Sequence, residues 1–158
     1  CIRDRCITMS LDHALKGCEL FFELYEDEVN KMLKSQTVHN FDVGENVITQ
    51  GDKGNQIFIL LEGFAEIQKR GQSESPIKIE KLKTGEVFGL LMILDDKPYG
   101  IDVVAKTRCS VLEIKHAAIM DQFDRNPRIF GLLMLNISRI IAKRLRNAHG
   151  KMSQLKAG

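Results

Sequence analysis

No run of 18 apolar residues occurs anywhere in the chain, which leaves no candidate for a membrane-spanning helix. The longest apolar stretches, Ile57 to Leu61 and Phe130 to Leu135, have the length of core elements. Metal and redox signatures are missing as well. Cys1 and Cys6 are separated by four residues, a spacing outside the common zinc and redox patterns, and Cys18 and Cys109 stand alone. The expectation is reduced, structural cysteines in a cytoplasmic protein. His13, His39, His116 and His149 are scattered singly, so they make no metal site. There is no Gly-x-Ser-x-Gly elbow, no P-loop and no dinucleotide fingerprint, which argues against an enzyme. Internal repeats and low-complexity segments are absent, and a net charge of +2 favours no class of partner. The chain opens on Cys1 without a Met, which points to a boundary or to processing, a lipoprotein cysteine being the lesser alternative.

What is present is one domain's worth of sequence in three regions of different period: 158 residues, 44% hydrophobic and 28% charged, enough for a core of its own. Residues 10–36 read as helix. Ser10 is a plausible N-cap, although His13 at N3 makes no capping box. Leu24, Val29, Met32 and Leu33 form an apolar stripe, and Glu26, Asp27 and Glu28 suit a first helical turn. Residues 38–115 read as short strands. Glycine or proline interrupts them at Gly44, Gly51, Gly54, Gly63, Gly71, Pro76, Gly85, Gly89, Pro98 and Gly100. Such spacing predicts a sandwich or barrel, with residues 69–75 as a flexible hairpin tip. Residues 116–147 return to helical spacing, broken at Pro127, with Phe130, Leu133, Met134, Ile137, Ile140, Ile141 and Leu145 recurring at three and four. The polar stretch from Gly150 onward is expected to fray.

The glycine-bearing turns carry a resemblance. Gly44-Glu45, Gly51-Asp52, Ile57-Phe58-Ile59-Leu60-Leu61-Glu62-Gly63 and Gly85-Glu86-Val87-Phe88-Gly89 resemble successive turns of cyclic-nucleotide-binding domains. These are the sensors of catabolite-activator-type regulators, protein kinase A regulatory subunits and cyclic-nucleotide-gated channels. The likeness runs from Leu15 to Leu145. It implies an α+β fold: an antiparallel β-roll, a cupin-like jelly roll, flanked by N-terminal helices and a long C-terminal helix. It also implies a lead over residues 1–14, the domain over 15–147 and a flexible tail over 148–158.

In that family a loop after Phe-Gly cradles the cyclic phosphate. The usual pattern is Phe-Gly-Glu, about six apolar residues, then Pro-Arg-x-Ala-Ser/Thr-Val. Here the segment keeps its length and reads Phe88, Gly89, Leu90, Leu91 and onward to Pro98, Tyr99, Gly100, Ile101, Asp102 and Val103. Leu90 replaces the ribose-binding Glu, Tyr99 the phosphate-binding Arg, Ile101 the small Ala and Asp102 the Ser/Thr. Losing one partner of a buried charge pair costs roughly 2–5 kcal/mol. An acid about 5 Å from the phosphate would add roughly 3 kcal/mol of repulsion at an effective dielectric near 20. Lys97 is the nearest cation, but Pro98 follows it and it is expected to point to solvent. The resemblance therefore implies a non-enzymatic regulatory domain with nucleotide affinity weak or lost, and no certain cofactor beyond the family's cyclic nucleotide. The alternative is a protein-interaction or dimerisation module.

The partners implied are a second copy through residues 130–145 and a small-molecule ligand in the roll, without membrane insertion. From Arg125 to the end there are eight basic residues and no acidic one, read as a solvated face before a polyanion contact. Nucleic acid is not expected without a helix-turn-helix domain, for which the residues after Leu145 are too few. The chain is thus either a stand-alone sensor or one parted from an effector.

Overall fold

The computed structural model describes residues 13–72 and 75–156. The Ser10 cap, Cys1 and Cys6 lie outside them. Eight strands run in chain order: β1 (Thr37–Phe41), β2 (Asn46–Ile48), β3 (Gln56–Glu62), β4 (Ala65–Lys69), β5 (Ile77–Leu82), β6 (Val87–Phe88), β7 (Asp102–Ala105) and β8 (Cys109–Lys115). They form two antiparallel sheets, in the orders β1-β8-β3-β6 and β2-β7-β4-β5.

The first sheet has a core on each side, and the apolar run of β3 is the reason. Successive side chains of a strand point to opposite faces. Phe58 and Leu60 enter the roll interior with Ile48, Ile67, Leu82, Phe88, Val103 and Val111. Ile57, Ile59 and Leu61 face the helices and meet Leu20, Leu112, Ile114, Leu133 and Ile137. A strand covered on both faces needs no polar alternation, which is why Ile57 to Leu61 is continuously apolar.

The helical regions break where local chemistry demands. Residues 13–16 are helical, Glu19–Phe21 is a 3₁₀ turn, and α1 spans Glu26–Leu33. Thus 10–36 is not one helix: Glu23 takes φ 68°, and Tyr25 is extended before α1 begins. The backbone N–H of Tyr25 donates to Glu28 Oε2 at 2.9 Å, satisfying an orphan donor at the helix start. After β6 come α2 (Leu91–Asp95), α3 (His116–Arg125) and α4 (Pro127–Lys156). Pro127 opens α4, the position where a missing N–H costs nothing. α4 has 30 residues, about 45 Å at 1.5 Å per residue. It continues through Gly150 to Lys156, where fraying was expected, and Lys151 Nζ donates to the Ile79 carbonyl at 3.0 Å, tying that turn to β5. Among the described residues no helix is long and apolar enough to cross a membrane.

Candidate functional site

The cassette bridges the two sheets. Phe88 is fully buried, its ring stacked on Phe58 with centroids 5.5 Å apart. Gly89 turns the chain at φ +77°, and a Cβ there would press on the Gln56 carbonyl at 3.3 Å. Leu90 then enters the helix-side core at 3% exposure, so the position of the family's Glu faces away from the roll interior. Leu91 opens α2 and is exposed, while Met92 fills the roll side. Asp96 ends α2 in the left-handed conformation at φ 50°.

Tyr99 decides the character of the interior. Its backbone is fixed on both sides: its N–H donates to the Asp52 carbonyl at 3.0 Å, and its own carbonyl accepts from Gly51 N–H at 2.8 Å. The side chain turns into the roll core, 9% exposed, and its hydroxyl donates to the Gln56 carbonyl at 3.1 Å. The ring lies so close to Gly54 that a Cβ there would sit 2.4 Å from Cε2. Burial pushes the phenol above its usual range, with the bond to Gln56 a smaller opposing influence. Ile101 packs partly against the same core and Val103 is fully enclosed in it, whereas Pro98 and Gly100 are exposed.

Asp102 is elsewhere. Tyr99, Ile101, Val103 and Ala105 alternate inward, which places Asp102 on the outer face of the second sheet. There its carboxylate is 4% exposed and held from two sides. The Gln50 backbone N–H donates to Oδ1 at 2.7 Å, and Arg70 Nε lies 2.8 Å from Oδ2. Arg70 also donates to the Gln50 carbonyl at 2.9 Å, while its own N–H donates to Gln50 Oε1 at 2.9 Å. Asp102 is therefore directed away from the roll interior, and its charge is paired with Arg70.

Lys97 is exposed, its Nζ 3.9 Å from Asp95 Oδ2. Two other cations reach the cassette: Arg70 at Asp102, and Lys69, whose Nζ donates to the Gly100 carbonyl at 2.9 Å. Sequence reasoning missed Gln50, Gly54, Gln56, Lys69 and Arg70, all far from the cassette in the chain. The only signal for them was the adjacent pair of bases closing β4. Two clefts stand out among the described residues, and no residue from 88 to 103 lines either of them. No cluster of three His, Cys, Asp or Glu able to hold a metal ion occurs among the described residues.

This geometry can be set beside known proteins. A segment of Glutaminase 2 from Bradyrhizobium diazoefficiens is 30% identical over 87% of this chain, which spans 21% of that protein. A cAMP-dependent protein kinase regulatory subunit from Emericella nidulans is 40% identical over 63% of this chain, which spans 24% of its length. The crystal structure of a cyclic nucleotide-binding domain from Methylobacillus flagellatus superposes with a TM-score of 0.81, covering 96% of this chain and 84% of that one, at 17% identity. That likeness shows the fold, a β-roll with a long C-terminal helix. The family model described as the cyclic nucleotide-binding domain matches residues 38–126, more than half of the chain, from β1 through the end of α3, and the chain belongs to that family.

Proposed function

We propose that the domain is a non-enzymatic regulatory module of the cytoplasm whose affinity for cyclic nucleotides is weak or lost. The observation that carries this reading is Tyr99. The residue at the family's arginine position brings no positive charge, and its ring occupies the roll interior against Gly54 with its hydroxyl already bonded to Gln56. At the ribose position Leu90 is packed into the helix-side core. A cyclic nucleotide would have to displace a buried aromatic side chain and leave its phosphate without a guanidinium, each a matter of kilocalories. Titration calorimetry with cyclic AMP and cyclic GMP tests the reading. No binding tighter than about 10 μM is expected, and a low-micromolar dissociation constant for either would overturn it.

A second reading, a homodimerisation module, has support in the way the stripe on α4 divides. Leu133 and Ile137 are fully buried against the roll, so they belong to the domain core rather than to an interface. Met134, Ile141 and Leu145 remain half-buried or exposed, and Met152 continues their line. Positions 134, 138, 141, 145 and 152 keep the four-three spacing of a helix–helix seam, with Phe123 and Phe130 in edge contact at 5.3 Å beside it. A second copy of α4 is the occupant this spacing fits. Light scattering at high micromolar concentration is expected to give twice the chain mass, and Leu145→Glu to give the monomer. A wild-type monomer at that concentration rules the dimer out.

A further inference from the structure

A groove follows the flank of α4. It consists of two clefts, of about 120 and about 370 Å³, which share Glu19 and Lys143 as a common wall. Those two side chains are ion-paired. The larger cleft is completed by Phe22, Asn136, Arg139 and Arg146. Its floor is rigid: Asn136 is 1% exposed, and its amide donates to the Leu20 and Phe22 carbonyls at 3.0 and 2.8 Å. Those bonds pin the backbone that carries Phe22, yet the Phe22 ring is 61% exposed, with the Arg139 guanidinium 6.0 Å from its centroid.

The charge around this cleft is unbalanced. α4 contains no Asp or Glu. Several of its bases are matched from outside the helix: Arg128 by Glu28, Lys143 by Glu19, Arg144 by Glu80. Arg139 and Arg146, two turns apart on one side of the helix, have no carboxylate partner among the described residues; Arg139 donates only to Asn136 Oδ1, at 3.1 Å. An exposed ring on a rigid floor, with two unmatched guanidinium groups lining the same cleft, combines apolar area with forked donors, the composition of a recognition surface.

We propose that this cleft docks an acidic peptide segment, placing an apolar side chain against Phe22 and a carboxylate between Arg139 and Arg146. A nucleic-acid backbone fits less well, because its unbroken line of phosphates would meet Glu19 in the wall and Glu23 beside Phe22, where a peptide can place its apolar side chain instead. The proposal is independent of what the roll binds.

The test is fluorescence polarisation on the whole chain. The probes are a fluorescein-labelled peptide, Asp-Glu-Leu-Phe-Glu-Asp, and its twin with lysine at every acidic position. The acidic peptide is expected to bind wild type and to lose at least about tenfold in affinity, roughly 1.4 kcal/mol, in Arg139→Glu/Arg146→Glu. The lysine twin is expected to prefer that double variant. Phe22→Ala should weaken the acidic peptide without reversing the preference. Circular dichroism checks the fold, and Arg146→Glu alone, on an exposed turn, serves if the double variant unfolds. The proposal fails if the acidic peptide does not bind at about 1 mM, if its affinity survives the arginine substitutions, or if a single-stranded oligonucleotide displaces it at lower concentration than unlabelled peptide does.

Discussion

The two cores on either side of β3 are built to different rules. The helix-side core gathers aliphatic side chains from segments far apart in the chain: Leu20 from the 3₁₀ turn, Ile57 and Ile59 from β3, Leu133 and Ile137 from α4. It contains nothing that must open. The roll-side core includes a tyrosine delivered by a loop, a glycine that exists to admit its ring, and a hydroxyl bonded to a backbone carbonyl. One core joins the roll to the helices, while the other fills the roll interior and includes a side chain that the cassette supplies. The same strand serves both because alternate residues report to different neighbours.

The comparison can be broken most forcefully on the helix side. Leu133→Ala is expected to cost about 3 kcal/mol, within the usual range for a large-to-small change at a fully enclosed site, and Ile137→Glu to prevent folding; chemical denaturation measures the first and circular dichroism the second. Tyr99→Ala should cost less, about 2 kcal/mol, because Tyr99 keeps 9% exposure whereas Leu133 is fully enclosed. If Tyr99→Ala proves costlier than Leu133→Ala, the roll interior is as structural as the helix side and the contrast disappears.

A smaller effect sharpens the picture of the cassette's outer wall. Arg70→Gln leaves the enclosed Asp102 carboxylate without its cation. Since the Arg70 side chain is 55% exposed and screened by solvent, a loss of about 1 kcal/mol is expected. Unchanged stability in urea would mean that the Gln50 amide alone satisfies Asp102.

Acid should act through two carboxylates outside both cores. Glu28 is held below its ordinary value of 4.5, first by the Tyr25 amide and then by Arg128. Glu66 is held below 4.5, first by the Gln68 side-chain amide and then by Lys78. Each folded-state value lies below the unfolded one, so each contribution is complete above about pH 4.5 and is lost as pH falls through the lowered value. The denaturation midpoint is expected to drop on acidification below pH 4.5, less steeply in Glu28→Gln/Glu66→Gln. An identical pH profile in that variant would assign acid sensitivity to other groups.

The roll was legible because its turns demand particular residues. Gly63 sits at φ +83° with the Arg108 carbonyl 2.3 Å from where a Cβ would stand, so the glycine at that turn is a steric requirement that sequence displays directly. Phe88, Gly89 and Val103 mark the cassette segment in the same direct way. Its electrostatics were not. The parity that turns Asp102 outward could be read from the apolar residues at 101, 103 and 105, but its partner Arg70 lies 32 residues away, just past the end of β4. Sequence spacing carries no information on that pairing. The run of α4 through Gly150 to Lys156 is hidden from sequence for a related reason: Gly150 weakens a helix locally, and the contact from Lys151 to Ile79 is made across the fold.

The burial of Tyr99 has an optical consequence. The chain has no tryptophan and two tyrosines, so its near-ultraviolet signal above the phenylalanine region comes from Tyr25 and Tyr99 alone. They sit in opposite surroundings, Tyr25 67% exposed with the Arg128 guanidinium over its ring and Tyr99 sealed in the roll. A nitrating reagent in limiting amount would mark Tyr25 and leave Tyr99 untouched. The remaining unmodified phenol then reports from inside the roll, shielded from quenchers while its ring is buried and dimmed by them if the ring becomes exposed.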